Sequence, residues 1–157
     1  SSYRTAVTRG DMDVAVVTAV EPSDGESLGA TPTVWAAHSK LSLDVSRPVP
    51  LAVMDRACWW CELPERALRG AARSYDVVLR ASSFGSLRAA VRAGIAVAAL
   101  PASSVETDMS LLGSAEGMPS LPSAHRSIIF GQHTPAALAT AMTEALQEQC
   151  GNAMLQK

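Results

Sequence analysis

Between Ser82 and Pro101 the chain gives five structural signals in immediate succession: a serine pair, apolar residues at helical spacing, a glycine, an unbroken apolar run and a proline. Phe84, Leu87, Ala90 and Val91 fall on one helical face, which predicts a helix over 84–93, and Gly94 supplies the left-handed stop. The run from Ile95 to Leu100 is too short and too uniformly apolar for a helix and predicts a buried strand. A continuous apolar strand directly after a helix requires a sheet covered on both faces. Few arrangements other than an α/β fold satisfy that requirement.

The rest of the chain repeats the alternation. Ser2 to Arg9 reads as the end of a helix capped by Gly10, Asp13 to Thr18 as a strand, and Glu21 to Ser27 as an exposed loop. Strands are predicted at Thr33 to Ala37, Pro50 to Met54 and Tyr75 to Arg80, with a helix from Pro64 to Arg73 whose proline lies in the first turn. Strand and helix in turn predict parallel βαβ units. Ser103 to Leu121 reads as loop, Ser127 to Gly131 as a strand and Pro135 to Gln149 as a helix with Thr134 as N-cap.

Charge excludes one class of partner for these residues. The 157 residues carry 13 Lys and Arg against 15 Asp and Glu, and the densest basic stretch, Arg66 to Arg73, is interleaved with alanine. A surface that binds nucleic acid needs clustered positive charge to displace counterions from phosphates. No window reaches the length of apolar sequence needed to span a membrane, and the first residues do not read as an export signal. Three cysteines, an odd number, suit a reducing compartment, so the expected location is the cytoplasm, without membrane association.

Ser86 to Pro101, SLRAAVRAGIAVAALP, resembles the segment that LysR-type transcriptional regulators carry in their effector-binding part, with Ala96 in place of a second family glycine. Arg9 to Val17 is similar to an early strand of that family, and Val34 to Leu41 to its crossover with a histidine, here His38 followed by Ser39. Pro50 to Met54, Cys58 and Glu65 to Leu68 match a strand, a cysteine-bearing turn and a helix in the same order. The resemblance implies a two-lobed, periplasmic-binding-protein-like (type 2) fold with two crossover strands. Residues 1–34 and 100–157 would form the first lobe and 35–99 the second. A strand and helix that open the first lobe in the family would precede Ser1, so that lobe is expected to be incomplete. The winged helix-turn-helix that binds DNA would lie outside this chain. The implied function is non-enzymatic: sensing of a small effector between the lobes by a homodimer or tetramer that reaches DNA only through the missing part. The resemblance also places the subunit contacts on the helix Pro64 to Arg73 and around Thr5 to Gly10.

Several residues are candidates for chemistry. Cys58-Trp59-Trp60-Cys61 is a C-x-x-C motif between a strand and a helix, where a helix N-terminus lowers a thiol pKa. It reads either as a thiol redox pair or as a turn that packs two tryptophans, and some peroxide-sensing members of the family carry a reactive cysteine in this region. A metal would need further ligands, and His38, His125 and His133 are scattered, so neither metal nor cofactor is expected. Ser82 and Ser83 precede a helix, where hydroxyls and free amides can hold a carboxylate or simply cap the helix. Without a Gly-x-Ser-x-Gly elbow they do not read as nucleophiles. Thr18 ends a strand at the edge where ligands of open sheets bind, and Arg56 is placed to pair with an acidic effector. The effector-binding candidates are therefore Thr18, Arg56, Cys58, Trp59, Trp60, Ser82, Ser83, Phe84 and Pro101. A solute-binding protein of a transporter is the competing reading by fold, and a thiol-based sensor through Cys58 and Cys61 the competing reading by motif.

Overall fold

The computed structural model describes residues 2–55 and 59–155, apart from the side chains of residues 2, 59 and 149–155. The chain forms two compact units, Ser1–Thr31 with Ser123–Lys157, and Pro32–Pro122. It leaves the first unit once and returns once.

The first unit contains α1 (Ser2–Arg9), β1 (Val14–Ala19), β2 (Glu26–Thr31), β8 (Ala124–Phe130) and α4 (Ala136–Leu155). Helix α1 ends as its glycine requires. Gly10 takes φ +79°, its amide donates to Val7 O, and the Asp11 amide donates to Ala6 O, the paired bonds of a Schellman stop. The three strands form an antiparallel sheet in the order β1-β8-β2, not the parallel pairing that the alternation predicted. Ala15 and Val17 of β1 pack with Val7 and Ile129. Strand β2 begins inside the segment read as loop. Only Leu28 of its six residues is buried, and a bulge between Ser27 and Ala30 accommodates Gly29 at φ +92°, so the strand carries almost no apolar signal. The Thr134 hydroxyl, expected as an N-cap, donates to the Asp13 carbonyl and ties the turn before α4 to the start of β1.

The second unit contains β3 (Thr33–His38), β4 (Val49–Met54), α2 (Trp59–Gly70), β5 (Tyr75–Ala81), α3 (Phe84–Arg92), β6 (Ala98–Pro101) and β7 (Met109–Leu112). Strand β3 lies between β6 and β7, antiparallel to both, while β4 and β5 form a parallel pair linked by α2, as the sequence implied. A parallel bridge from Leu51 to Val97 joins the two sets of strands. Leu51, Val53, Leu68, Val97 and Trp35 belong to one buried cluster, and Leu87, Val91, Ala98 and Leu100 to a second.

Three sequence boundaries change here, each for a physical reason. The strand after Gly94 starts at Ala98 rather than Ile95, because the Ile95 amide closes the helix stop onto Ala90 O and its side chain is left 59% exposed. Helix α2 starts at Trp59 and encloses Pro64, since Cys61, Pro64 and Leu68 share a buried face, and burial outweighs the single rung a proline removes. Residues 100–122 belong with the middle of the chain, not with its ends. Strands β6 and β7 flank β3, and Trp35 Nε1 donates to Pro119 O at 2.7 Å.

Candidate functional site

The parallel β4–α2–β5–α3 run determines what lies at the carboxyl edge of the second unit. Met54 and Ala81 are paired at the ends of β4 and β5, and the Asp55 amide donates to Ala81 O at 2.8 Å. Both helices that follow these strands therefore start at one edge, the position where open parallel sheets present ligand sites.

Helix α3 shows how that edge is built. Ser83 is extended, at φ −137° and ψ 153°, and its Oγ accepts the Ser86 amide at 3.1 Å and lies 2.9 Å from Ser86 Oγ. The capping reading of this serine is thus realised, and Ser86, which the sequence reading passed over, completes the cap. The serines at 83 and 86, three apart, were the available signal. The Leu87 amide bonds to Ser83 O, so the first-turn amides of Phe84 and Gly85 are those without an intrahelical acceptor. A Cβ on Gly85 would find only Ser83 Oγ, at 3.9 Å, so a side chain there would meet no close neighbour. Behind these amides Leu87, Ala90 and Val91 are buried and Phe84 packs on the same cluster. The result is a capped helix start with exposed serines and two first-turn amides that have no acceptor among the described residues, an arrangement that can hold a carboxylate or another small anion. Ser83→Ala should cost about 1 kcal/mol in urea unfolding through loss of the cap. A change within about 0.3 kcal/mol would show that the cap contributes nothing.

The other end of α3 is held by ion pairs. Arg88 lies 3.4 Å from Glu106, and Arg92 Nε lies 3.4 Å from Glu106 and 3.0 Å from Asp108. The hydrogen bond from Arg92 holds the Asp108 carboxyl below its usual range and holds the guanidinium above its own. A carboxyl whose pKa is depressed on folding stabilises the fold above its unfolded pKa, about 4, and loses that contribution as pH falls through the folded value. Stability should therefore fall in acid below about pH 4, and Asp108→Asn should flatten that fall. Urea midpoints for both proteins across that range are the check, and identical pH profiles would contradict it.

The remaining candidates are distributed as follows. Trp59, Trp60 and Cys61 lie in the first turn of α2, inside the helix rather than in a turn before it. Cys61 is buried and disulfide-bonded. Arg56 and Cys58 lie outside the described residues. Pro101 ends β6 opposite Thr33 and opens a short 3₁₀ turn. Thr18 is exposed on β1 opposite Arg126 and belongs to the first unit, whereas Ser82 and Ser83 belong to the second. His38 Nδ1 accepts the Lys40 amide at 3.0 Å, a local bond at the end of β3. Among the described residues no three His, Cys, Asp or Glu side chains are grouped to hold a metal, and no helix is long and apolar enough to cross a membrane.

The sequence profile of the family described as LysR substrate binding domain matches residues 3–151. The chain is 27% identical over 139 residues to the HTH-type transcriptional regulator DgdR of Burkholderia cepacia, which covers 87% of this chain and 47% of that regulator. It is also 27% identical over 95 residues to the HTH-type transcriptional regulator PecT of Dickeya dadantii, covering 60% of this chain and 30% of that protein. The chain thus spans about half the length, or less, of the curated relatives it matches. The regulatory domain of HypT from Salmonella typhimurium superposes with a TM-score of 0.75 at 14% identity, over 96% of this chain and 78% of that one. The reduced form of the regulatory domain of OxyR2 from Vibrio vulnificus gives 0.66 at 12% identity, over 95% and 76%. These superpositions show a shared fold, and at identities this low they show the fold alone.

Proposed function

Because this chain belongs to the LysR substrate binding domain family, we propose that it is the effector-binding regulatory domain of a bacterial transcription factor that senses a small carboxylate-bearing metabolite. The observation that carries the carboxylate is the start of α3, where Ser82, Ser83 and the amides of Phe84 and Gly85 sit at the carboxyl edge of β4 and β5. Trp60, in the first turn of the neighbouring helix, is the aromatic residue we assign to contact such an effector. The matched relatives are transcriptional regulators, which favours this reading over a transporter's solute-binding protein. In the whole protein we expect a homodimer or tetramer, with DNA contacted through a separate helix-turn-helix and no catalysis in this domain. An effector acts by shifting the balance between two conformations, and it shifts that balance only by its differential affinity for them.

A thermal-shift screen of small carboxylic acids, aromatic acids and amino acids, each beside its methyl ester or amide, tests this reading. A ligand at a hundred times its Kd stabilises the folded state by about 2.7 kcal/mol. That stabilisation shifts the midpoint by several degrees, and the uncharged analogue should not reproduce the shift. Equal shifts from acid and ester would remove the carboxylate from the proposal.

One observation favours a second reading, a thiol-based sensor using Cys58 and Cys61. Cys61 is disulfide-bonded and buried in the first turn of α2, next to the same edge. The fold is shared with a protein described as a hypochlorite-specific regulator. Under this reading, reduction alone moves the amides of α2 and β5 in an NMR spectrum without any effector.

A further inference from the structure

The segment between β3 and β4 lines, together with Pro50 of β4 and Asp76 and Val78 of β5, a cavity of about 350 Å³. This lies near the lower limit of small-molecule sites. Pro50 and Asp76 are paired at the end of the β4–β5 ladder away from Met54 and Ala81. Val78, the lining residue nearest the carboxyl edge, is three residues of strand, about 10 Å, from Ala81. The cavity is a different site from the one described above.

The fold sets the walls of this cavity. Asp44 Oδ1 accepts the Ser46 amide at 2.8 Å and the Ser46 hydroxyl at 2.7 Å, which closes a tight turn. The Arg73 guanidinium donates to Arg47 O at 2.7 Å and to Asp44 O at 3.2 Å and fastens that turn to the end of α2. No ligand is needed to shape it. Leu43, Pro48 and Val78 supply apolar surface, and Val78 is 48% exposed on the sheet face.

The charges define what such a cavity accepts. Asp44, Asp76 and Arg47 line it, and the Arg73 guanidinium bonded to the turn also acts on Asp44, so Asp76 is the lining carboxylate left without a cation of its own among the described residues. The bonds from Ser46 hold the Asp44 carboxyl below its usual range, so it is ionised at neutral pH. Asp76 makes no hydrogen bond or ion pair among the described residues, and so leaves its whole carboxylate to a ligand. We propose that this cavity is a second ligand site that binds a small aliphatic ammonium compound, its chain against Pro48 and Val78 and its charge against Asp76 and Asp44.

An NMR titration of the chain with n-butylammonium chloride, against sodium chloride at equal ionic strength, tests the proposal. Saturable shifts are expected at the amides of Leu43, Asp76 and Val78, with those of Phe84 and Gly85 unmoved. Asp76→Asn should weaken the interaction about fivefold, as expected for one partly exposed charge pair. Arg47→Gln should tighten it about twofold, because it removes a like charge, whereas damage to the cavity would weaken it. Either variant leaves the Asp44 turn and the Arg73 bonds to backbone carbonyls in place. Absence of saturable shifts at these amides, or binding indifferent to Asp76→Asn or weakened by Arg47→Gln, would overturn the proposal. Neither result bears on the carboxylate site at α3.

Discussion

Gly25→Ala is expected to destabilise the unit built on β1, β8 and β2 by about 3 kcal/mol, although the residue is exposed. Two penalties combine. Gly25 sits at φ +112°, a conformation that side chains rarely adopt, and a Cβ there would run into the Ile128 carbonyl and come within 2.7 Å of Ile129 Cγ2. Neither neighbour can yield cheaply, because Ile128 is fully buried and pairs with Glu26 and Val16 across both sides of β8. Gly29→Ala separates the two penalties. Gly29 also has a positive φ, +92°, but nothing lies within 4 Å of its missing Cβ, so the cost there should be the backbone strain alone, about 1 to 2 kcal/mol. Hydrogen exchange of the β1, β2 and β8 amides is the direct readout. A Gly25→Ala protein as protected as the parent would show that the close approach to β8 is not a feature of the folded protein.

Trp35→Ala should cost the second unit about 4 kcal/mol, and Trp35→Phe about 1 to 2 kcal/mol. The indole is 2% exposed and packs with Leu51, Val97 and Leu68 on one face of β3, whose two neighbours place Ala99 and Leu112 beside it. Truncation to alanine leaves a large cavity in a cluster whose strands are fixed on both sides and cannot collapse into it. Phenylalanine restores most of the volume but leaves Pro119 O without the donor it has at 2.7 Å, and that single change accounts for the smaller figure. Urea unfolding followed by circular dichroism gives both values. Equal losses for the two variants would mean that the hydrogen bond, not the packing, fixes the segment 118–122.

The parts of this fold legible in the sequence are those in which a local rule and a tertiary need coincide. Gly10 and Gly94 both stop helices in the left-handed region, and both were readable because only glycine fits there cheaply. The strands Val49–Met54 and Tyr75–Ala81 were readable from apolar runs, and their parallel pairing followed from the helix between them. Strands β2 and β7 were not readable, because each buries a single side chain, Leu28 and Met109, and is held by backbone bonds to β8 and β3. Those bonds leave no trace in composition. The same gap misplaced residues 100–122, whose allegiance is decided by pairing on both edges of β3 and by the Trp35 bond to Pro119. At the candidate site the serines before α3 were readable as a helix cap from their place ahead of an apolar helical run, and Ser83 takes that role. The start of α2 was misjudged because Pro64, usually a first-turn residue, is buried in mid-helix.

Whether a carboxylate-bearing effector is held at the start of α3 is decided by an amide NMR titration with the acid that gives the largest thermal shift. Saturable shifts are expected at Phe84, Gly85 and Ser86, with the affinity reduced about tenfold in Ser83→Ala, which removes the hydroxyl that orders this turn. Saturable binding that leaves those three amides unmoved would contradict this placement.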